Sequence, residues 1–386
     1  MRVLFIISDL TFGGAQTQVA EMAREFVRRG DEAAIYTLND DVPRAPELEG
    51  TGVEVVVDQK RRRLDPAVLA RLRGFIRRWR PDIVHGFLYD GDIYARLAAA
   101  GTGVPVLNSE RSDNYTISRI QHVAHWLTKP FVDGVVANSR SGSAFAQRLY
   151  GYDPACMHVV WNGIRAEDTE RKAQSEADHR AEFFGPGAFR VACLVGAIKP
   201  AKDYHLAIDT AARLLELAPD WRVLFIGDQL SKANAGYRVG ADSDTGGYKA
   251  SVLEHFGHAI DDERVKFIGE RKDALAIVRQ CDVLFSTSCR EGFPNVVLEA
   301  MALGVPVAST DYSDIRHILP HPEQVAAVRS PEAVARAVLR VHALRDSIVT
   351  EQKRWVREHA SIEKATEELE RVYLHYVRRD AVAQAA

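Results

Sequence analysis

Two carboxylates stand eight residues apart in the segment Ser288-Cys289-Arg290-Glu291-Gly292-Phe293-Pro294-Asn295-Val296-Val297-Leu298-Glu299-Ala300-Met301, which passes from an apolar strand-like run into a helical one. Pro294 suits the first helical turn, where its missing N–H costs nothing. The N–H groups of the next residues then point at an anion, so a phosphate fits that end. Glu299 follows Pro294 by five residues, ~7.5 Å along a helix axis, far enough to reach past a phosphate toward a ribose. Glu291 stays in the loop above. Carboxylates accept hydrogen bonds from hydroxyls, so such a pair can hold both ends of one elongated polyol phosphate. The plainer reading makes Glu299 a helix-surface residue and Glu291 a solvated loop charge, and a Glu pair alone does not decide between them.

These residues need strand ends to carry them. Residues 3–7 form a continuous apolar run, the pattern of a strand buried on both faces, and Gly13-Gly14 follow as a turn. Val19, Met22, Ala23, Phe26 and Val27 then recur at helical spacing until Gly30 ends the segment. Strand-like runs continue at 33–37, 53–57, 82–86, 104–108, 134–138 and 158–161, with helical segments such as 67–79 between them. A polar stretch, 166–180, ends near Gly185-Pro186-Gly187 and is the best candidate for a boundary. A second series has strands at 190–196, 222–227, 265–269, 282–287, 305–309 and 324–328, and helices near 202–217, 247–258, 272–280, 294–303 and 331–344. The fold class expected is α/β, two Rossmann-like, doubly wound domains. A last helix, 362–379, carries Leu369, Val372, Tyr373, Tyr376 and Val377 on one face and should cross back to the first domain. Ligands of open parallel sheets bind outside the carboxyl ends of the strands, so the chemistry is expected where two such sheets face each other.

The remaining composition narrows the function class. The chain has 386 residues, 46% hydrophobic and 27% charged, and a formal net charge of −3, so no global field draws it to nucleic acid. Cys156, Cys193, Cys281 and Cys289 stand singly, without zinc or disulfide-scaffold spacing, which suggests a reducing compartment. The first residues do not form a signal peptide, and no stretch approaches the ~18 apolar residues of a membrane helix. A cytoplasmic protein is expected, peripheral on the inner face of the cell membrane if it meets lipid. Between residues 58 and 80, Lys60, Arg61, Arg62, Arg63, Arg71, Arg73, Arg77, Arg78 and Arg80 face only Asp58 and Asp65, a local charge of +7. This basic helix, Lys60 to Arg80, is either a solvated face or a contact for anionic lipid headgroups.

The segment from Glu291 to Glu299 resembles the Glu-x7-Glu motif of the family 4 retaining glycosyltransferases, which have the GT-B fold. The likeness continues, in the family's order, through Gly13-Gly14, Pro81-Asp82-Ile83-Val84-His85, Val136-Ala137-Asn138-Ser139, Trp161-Asn162-Gly163-Ile164, Val195-Gly196 with Lys202, and Glu299-Ala300-Met301-Ala302-Leu303-Gly304-Val305-Pro306. The resemblance implies transfer of a sugar, from a UDP-sugar by preference, to a hydroxyl of a glycan or lipid-linked acceptor in surface polysaccharide or glycolipid synthesis. It implies retention at the anomeric carbon, no metal and no cofactor, since the nucleotide-sugar is a substrate. It implies an N-terminal acceptor domain over 1–165 joined by the returning helix 362–386, and a nucleotide-sugar domain over 166–361. His85, Glu291 and Lys202 are then the catalytic candidates. Gly13, Gly14, Lys199, Phe293, Pro294, Asn295, Val296, Val297 and Glu299 are the donor-binding ones, and Arg111, Asn138 and Ser139 face the acceptor.

Two departures from the family pattern are visible. Ala197 stands where an arginine usually follows the glycine, and Lys199 is the nearest cation able to substitute, although an ammonium does not reproduce a bidentate guanidinium. Ser109-Glu110-Arg111 replaces a segment that carries a histidine in many relatives; Arg111 either binds an anionic acceptor group or pairs with Glu110 or Asp113. Asp90-Gly91-Asp92 and Asp242-Ser243-Asp244 have metal-motif spacing, but Asp242 has no strand immediately before it, and Asp90 follows the His85 segment, where the resemblance implies no metal. No G-x-G-x-x-G follows either opening strand, which weakens a dinucleotide dehydrogenase. The competing readings are a GT-B nucleotide-sugar epimerase and a nucleotide-sugar-binding protein without turnover.

Overall fold

The computed structural model describes residues 1–112, 117–227, 245–260 and 263–385. The chain divides into two compact units, Met1–Gly163 with Ala360–Ala386, and Ile164–His359. In the first, the elements run β1 (Arg2–Ile7), α1 (Gly14–Arg28), β2 (Glu32–Thr37), β3 (Glu54–Val57), α2 (Pro66–Trp79), β4 (Ile83–Phe87), α3 (Leu88–Ala99), β5 (Val106–Glu110), α4 (Arg119–Thr128), β6 (Gly134–Ala137), α5 (Arg140–Tyr150) and β7 (Met157–Val159). The seven strands form one parallel sheet in the order β3-β2-β1-β4-β5-β6-β7. Chain direction reverses its march between β1 and β4, and that switch point is where a ligand crevice opens in a doubly wound sheet.

The second unit begins with α6 (Ala166–Lys172) and α7 (His179–Phe184) and continues β8 (Arg190–Val195), α8 (Tyr204–Leu217), β9 (Trp221–Ile226), α9 (Thr245–Ala259), β10 (Val265–Phe267), α10 (Ala274–Arg279), β11 (Val283–Ser286), α11 (Asn295–Leu303), β12 (Val307–Ser309), α12 (Ile315–Ile318), α13 (Pro331–Ala343) and α14 (Arg345–His359). Its parallel sheet has the order β10-β9-β8-β11-β12, with the switch point between β8 and β11. The final helix α15 (Ile362–Ala385) returns to the first unit, where Leu369, Tyr373 and Tyr376 join Phe5, Phe26 and Phe87 in one buried cluster. The opposite face of that sheet is covered by α2 and α3, through Val68, Leu72, Phe75, Tyr94 and Ala95.

Several elements differ from the sequence expectation. The polar stretch 166–180 is not a linker: it contributes α6 and the start of α7, which belong to the second unit, and α6 packs on α11. Its charges are consumed in pairs such as Arg171 with Asp168 at 2.8 Å, and α7 is tied down just beyond it by Arg271 with Glu182 at 2.8 Å. The strand expected at 324–328 is a single bridge from Val325 to Ser309. Pro322 and a 3₁₀ turn, Pro322–Gln324, precede it, and the Gln324 side chain donates to the Val307 carbonyl at 3.0 Å. Helix α14 gives little signal in the sequence because it buries only Ile348, Gln352 and Val356, a stripe one residue wide. The basic segment is helical only over Pro66–Trp79; Lys60 to Arg63 lie in the loop before it.

Candidate active site

At the switch point of the second unit, Gly196 follows β8 and Gly227 follows β9. Gly196 has φ +152° and Gly227 φ +131°, and a Cβ on Gly227 would stand 2.6 Å from the Gly196 carbonyl oxygen. A Cβ on Gly196 would stand 2.9 Å from Lys202 Cε. The bare backbone therefore lets the stem of Lys202 lie across the end of β8. Lys202 closes a 3₁₀ turn, Pro200–Lys202, rather than opening a helix; Asp203 follows in the left-handed region and caps α8 by accepting from the Leu206 N–H at 3.2 Å.

The loop after β11 comes to meet this turn. The Lys202 ammonium pairs with the Glu291 carboxylate, and both groups are mostly buried. Ser288 Oγ donates to the same Glu291 oxygen at 2.7 Å. Thr287 Oγ1 donates to the Lys202 carbonyl at 2.8 Å, and the Cys289 N–H to the Ala201 carbonyl at 2.8 Å. Arg329 straps the two together: it donates to the carbonyls of Ser288 and Thr287 at 2.8 and 2.7 Å and to Asp203 Oδ2 at 2.6 Å. Tyr312 is buried beneath the loop, and burial first, then the Glu291 charge, raises its phenol well above the ordinary range. Helix α11 begins immediately afterwards with Pro294 at its N-cap, one position earlier than the sequence suggests, and no side chain caps that end. Its first N–H groups and positive dipole end suit an anion. Phe293 and Val297 are buried; Asn295, Val296 and Glu299 are half-buried; Ala197 and Lys199 are exposed after β8.

In the first unit, Gly13 is the N-cap of α1 and Gly14 its first residue. Gly13 has an ordinary φ of −87°; what needs its missing Cβ is Gln16, whose Oε1 would lie 2.2 Å from it. His85 sits in the middle of β4, opposite Phe5, rather than at its carboxyl end. It is fully buried, and both ring nitrogens are occupied: Nδ1 with the Tyr373 hydroxyl at 2.6 Å and Nε2 with Ser109 Oγ at 2.9 Å. Burial, then the nearby Arg111 charge, holds its imidazole well below the usual range, so it is neutral. Arg111 donates to Ser109 Oγ at 3.2 Å and Asn162 Oδ1 at 3.0 Å and lies over the Phe87 ring. Burial pushes its guanidinium down to about 10. Its Nε, both side-chain atoms of Asn108 and the Oδ1 of Asn138 are buried without a hydrogen-bond partner among the described residues. Ser139 is the N-cap of α5, accepting from the Gly142 N–H at 3.0 Å.

The sequence reading missed Ser288, Asp203, Arg329 and Tyr312, which hold the Glu291 loop, and Ser109, Asn162 and Tyr373, which surround His85 and Arg111. Asn162 and Gly227 carried a signal, the first in Trp161-Asn162-Gly163 and the second as a glycine closing a strand like Gly196. Arg329 carried none. Of the two Asp-x-Asp sequences, Asp90 pairs with Lys60 and Asp92 is buried with its carboxyl held well above the usual range by that burial; Asp242-Ser243-Asp244 lies outside the described residues.

Comparison with known proteins agrees with the fold. Residues 12–168 match the model of Glycosyltransferase Family 4, and residues 175–361 match that of Glycosyl transferases group 1. The chain is 24% identical to the D-inositol 3-phosphate glycosyltransferase of Streptosporangium roseum, over 79% of this chain and 74% of that protein. It is 24% identical to the 2-deoxystreptamine glucosyltransferase of Streptomyces kanamyceticus, over 84% and 89%. Among solved structures, Anabaena HepE in complex with UDP and glucose superposes with a TM-score of 0.77 at 16% identity, over 96% of this chain and 98% of that one.

Proposed function

The chain belongs to the family 4 glycosyltransferases, with the two Rossmann-like domains of the GT-B fold, and from that premise we propose that it moves a sugar from a UDP-sugar to a hydroxyl of a glycan or lipid-linked acceptor with retention at the anomeric carbon. In this reading the second unit holds the donor and the first the acceptor. The observation that carries it is the Lys202–Glu291 pair at the β8/β11 switch point, one helix start away from Glu299. Glu291 would accept hydrogen bonds from hydroxyls of the donor sugar, and Glu299 from the ribose. Lys202, released from Glu291 as those hydroxyls arrive, would neutralise charge building on the departing diphosphate, aided by the start of α11 and by Lys199. That supply of positive charge from the chain itself supports a reaction that requires neither divalent ion nor cofactor. The UDP preference is supported by the UDP complex of HepE.

On the acceptor side, Arg111, held by Ser109 and Asn162, would receive an anionic or hydroxyl-rich group; Asp113, the other partner expected for it, lies outside the described residues. His85, with both nitrogens occupied, would act through Ser109 and Arg111 rather than by touching substrate. We place its work at the inner face of the cell membrane. Arg61, Arg62 and Arg63 are exposed in the loop before α2 and would meet lipid phosphates, whereas Arg71 is held by Asp58 at 2.6 Å. No described helix is long and apolar enough to cross a membrane. The test is release of UDP from UDP-sugars in the presence of EDTA with candidate glycolipid acceptors, the anomeric configuration of the product being read by proton NMR. An inverted product, or turnover restored only by a divalent ion, would contradict the reading; conversion of donor without acceptor would favour an epimerase.

A further inference from the structure

Helix α4 is turned inside out for a surface helix. Its buried residues are the polar His125 and Thr128: Thr128 Oγ1 accepts from Arg96 Nη1 at 3.1 Å, and His125 Nε2 meets the Tyr152 hydroxyl at 2.9 Å while its ring stacks on Tyr150 at 3.5 Å. Its large apolar residues face out. Ile120 is 73% exposed, Val123 54%, Trp126 68%, Leu127 59%, and Phe131, just beyond the helix, 45%. Spaced three and four residues apart, they make one continuous strip. An amphipathic surface helix normally shows the reverse polarity, and a contiguous exposed apolar strip marks a surface that something covers.

Charge identifies what covers it. Residues 117–132 contain no Asp or Glu, while Arg119 is exposed at the start of the strip. Helix α3 packs on both α2 and α4, so the strip and the α2 segment belong to one layer of helices on one face of the sheet. That segment exposes Arg61, Arg62, Arg63, Arg77, Arg78 and Arg80. A second copy of the chain meeting this strip through the same strip would bring like charges together. An anionic bilayer satisfies both features: Trp, Leu, Ile and Val enter the headgroup boundary, where indole rings are favoured, and the arginines meet phosphates. We propose that α4 is an interfacial docking helix that seats the first unit on an anionic lipid surface. The inference deepens the membrane reading given above, which rests on the arginines alone, by adding insertion of an apolar strip.

The experiment is vesicle co-sedimentation with phosphatidylcholine vesicles and with vesicles containing a third phosphatidylglycerol. The full chain is compared with Trp126→Ser/Leu127→Ser and with Arg61→Gln/Arg62→Gln/Arg63→Gln, and each variant is checked for an unchanged melting temperature. The wild type should pellet with the anionic vesicles, and the α4 variant at least fivefold less, in low and in high salt alike. Brominated lipid should quench Trp fluorescence of the wild type, a readout that needs no variant. Pelleting of the α4 variant equal to wild type, with loss only in the arginine variant, would overturn the docking helix while leaving the electrostatic contact standing. Failure of the wild type to pellet overturns both, as does a lipid-free dimer that the α4 variant dissociates.

Discussion

Glu291 carries three jobs at once: it accepts from Ser288, pairs with Lys202 and lies over a buried Tyr312. A group so placed is preorganised, and its loss should act on turnover more than on binding. Glu291→Ala should lower kcat at least a hundredfold with nucleotide affinity within about twofold, by single-turnover kinetics and calorimetry. Glu299→Ala should do the opposite, weakening nucleotide binding about tenfold, the loss of one hydrogen bond to a charged group. The reverse pattern would refute the roles given to both. The spacing of these two residues was legible in the sequence because helix geometry fixes it. The Arg329 strap was not, because its partners lie 41 and 126 residues away in the chain and only the sheet brings them together. Arg329→Lys, which keeps the charge but not the three-way fork, should lower kcat several-fold and leave the melting temperature nearly unchanged.

At the scale of elements, α15 is the clearest case of a segment whose pattern announces burial but not its purpose. The stripe of Leu369, Tyr373 and Tyr376 was readable from helical spacing, and it docks on the first sheet. What the stripe could not reveal is that Tyr373 also ends on His85 Nδ1 and Tyr376 on His158 Nε2 at 2.8 Å. Tyr373→Phe keeps the packing and removes the hydroxyl, leaving one His85 nitrogen unpaired in a dry site, at about 1–3 kcal/mol. It should raise the acceptor KM without changing nucleotide affinity. Tyr373→Ala should cost about 3–5 kcal/mol and unfold the first unit early, seen in thermal melts. The parallel strands were legible for the same reason, as unbroken apolar runs. The helices α6, α7 and α14 were not, because ion pairs and a narrow buried stripe hold them where periodicity gives little signal.

For the whole molecule, the buried neutral histidines set an acid limit. Burial, then the Arg96 charge, pushes His125 down to about 2, and His85 is displaced in the same direction. In the unfolded chain such groups titrate near pH 6.5. Between the two values the unfolded state binds a proton the folded state refuses, so stability is full above about pH 7 and falls as pH drops. At pH 5 one such histidine costs about 2 kcal/mol. His125→Gln should flatten the decline in Tm between pH 7 and 5, and parallel curves for variant and wild type would contradict it. The central claim, a donor site for a UDP-sugar built on the β8/β11 switch point, is tested most directly by the melting temperature with UDP, GDP, ADP, dTDP and CMP in EDTA. The account predicts a rise of about 5 °C or more with UDP at a hundredfold excess over Kd, smaller with the others and cut to about half in Glu299→Ala at the same UDP concentration. No shift with any nucleotide, or a UDP shift that survives Glu299→Ala unchanged, would contradict it.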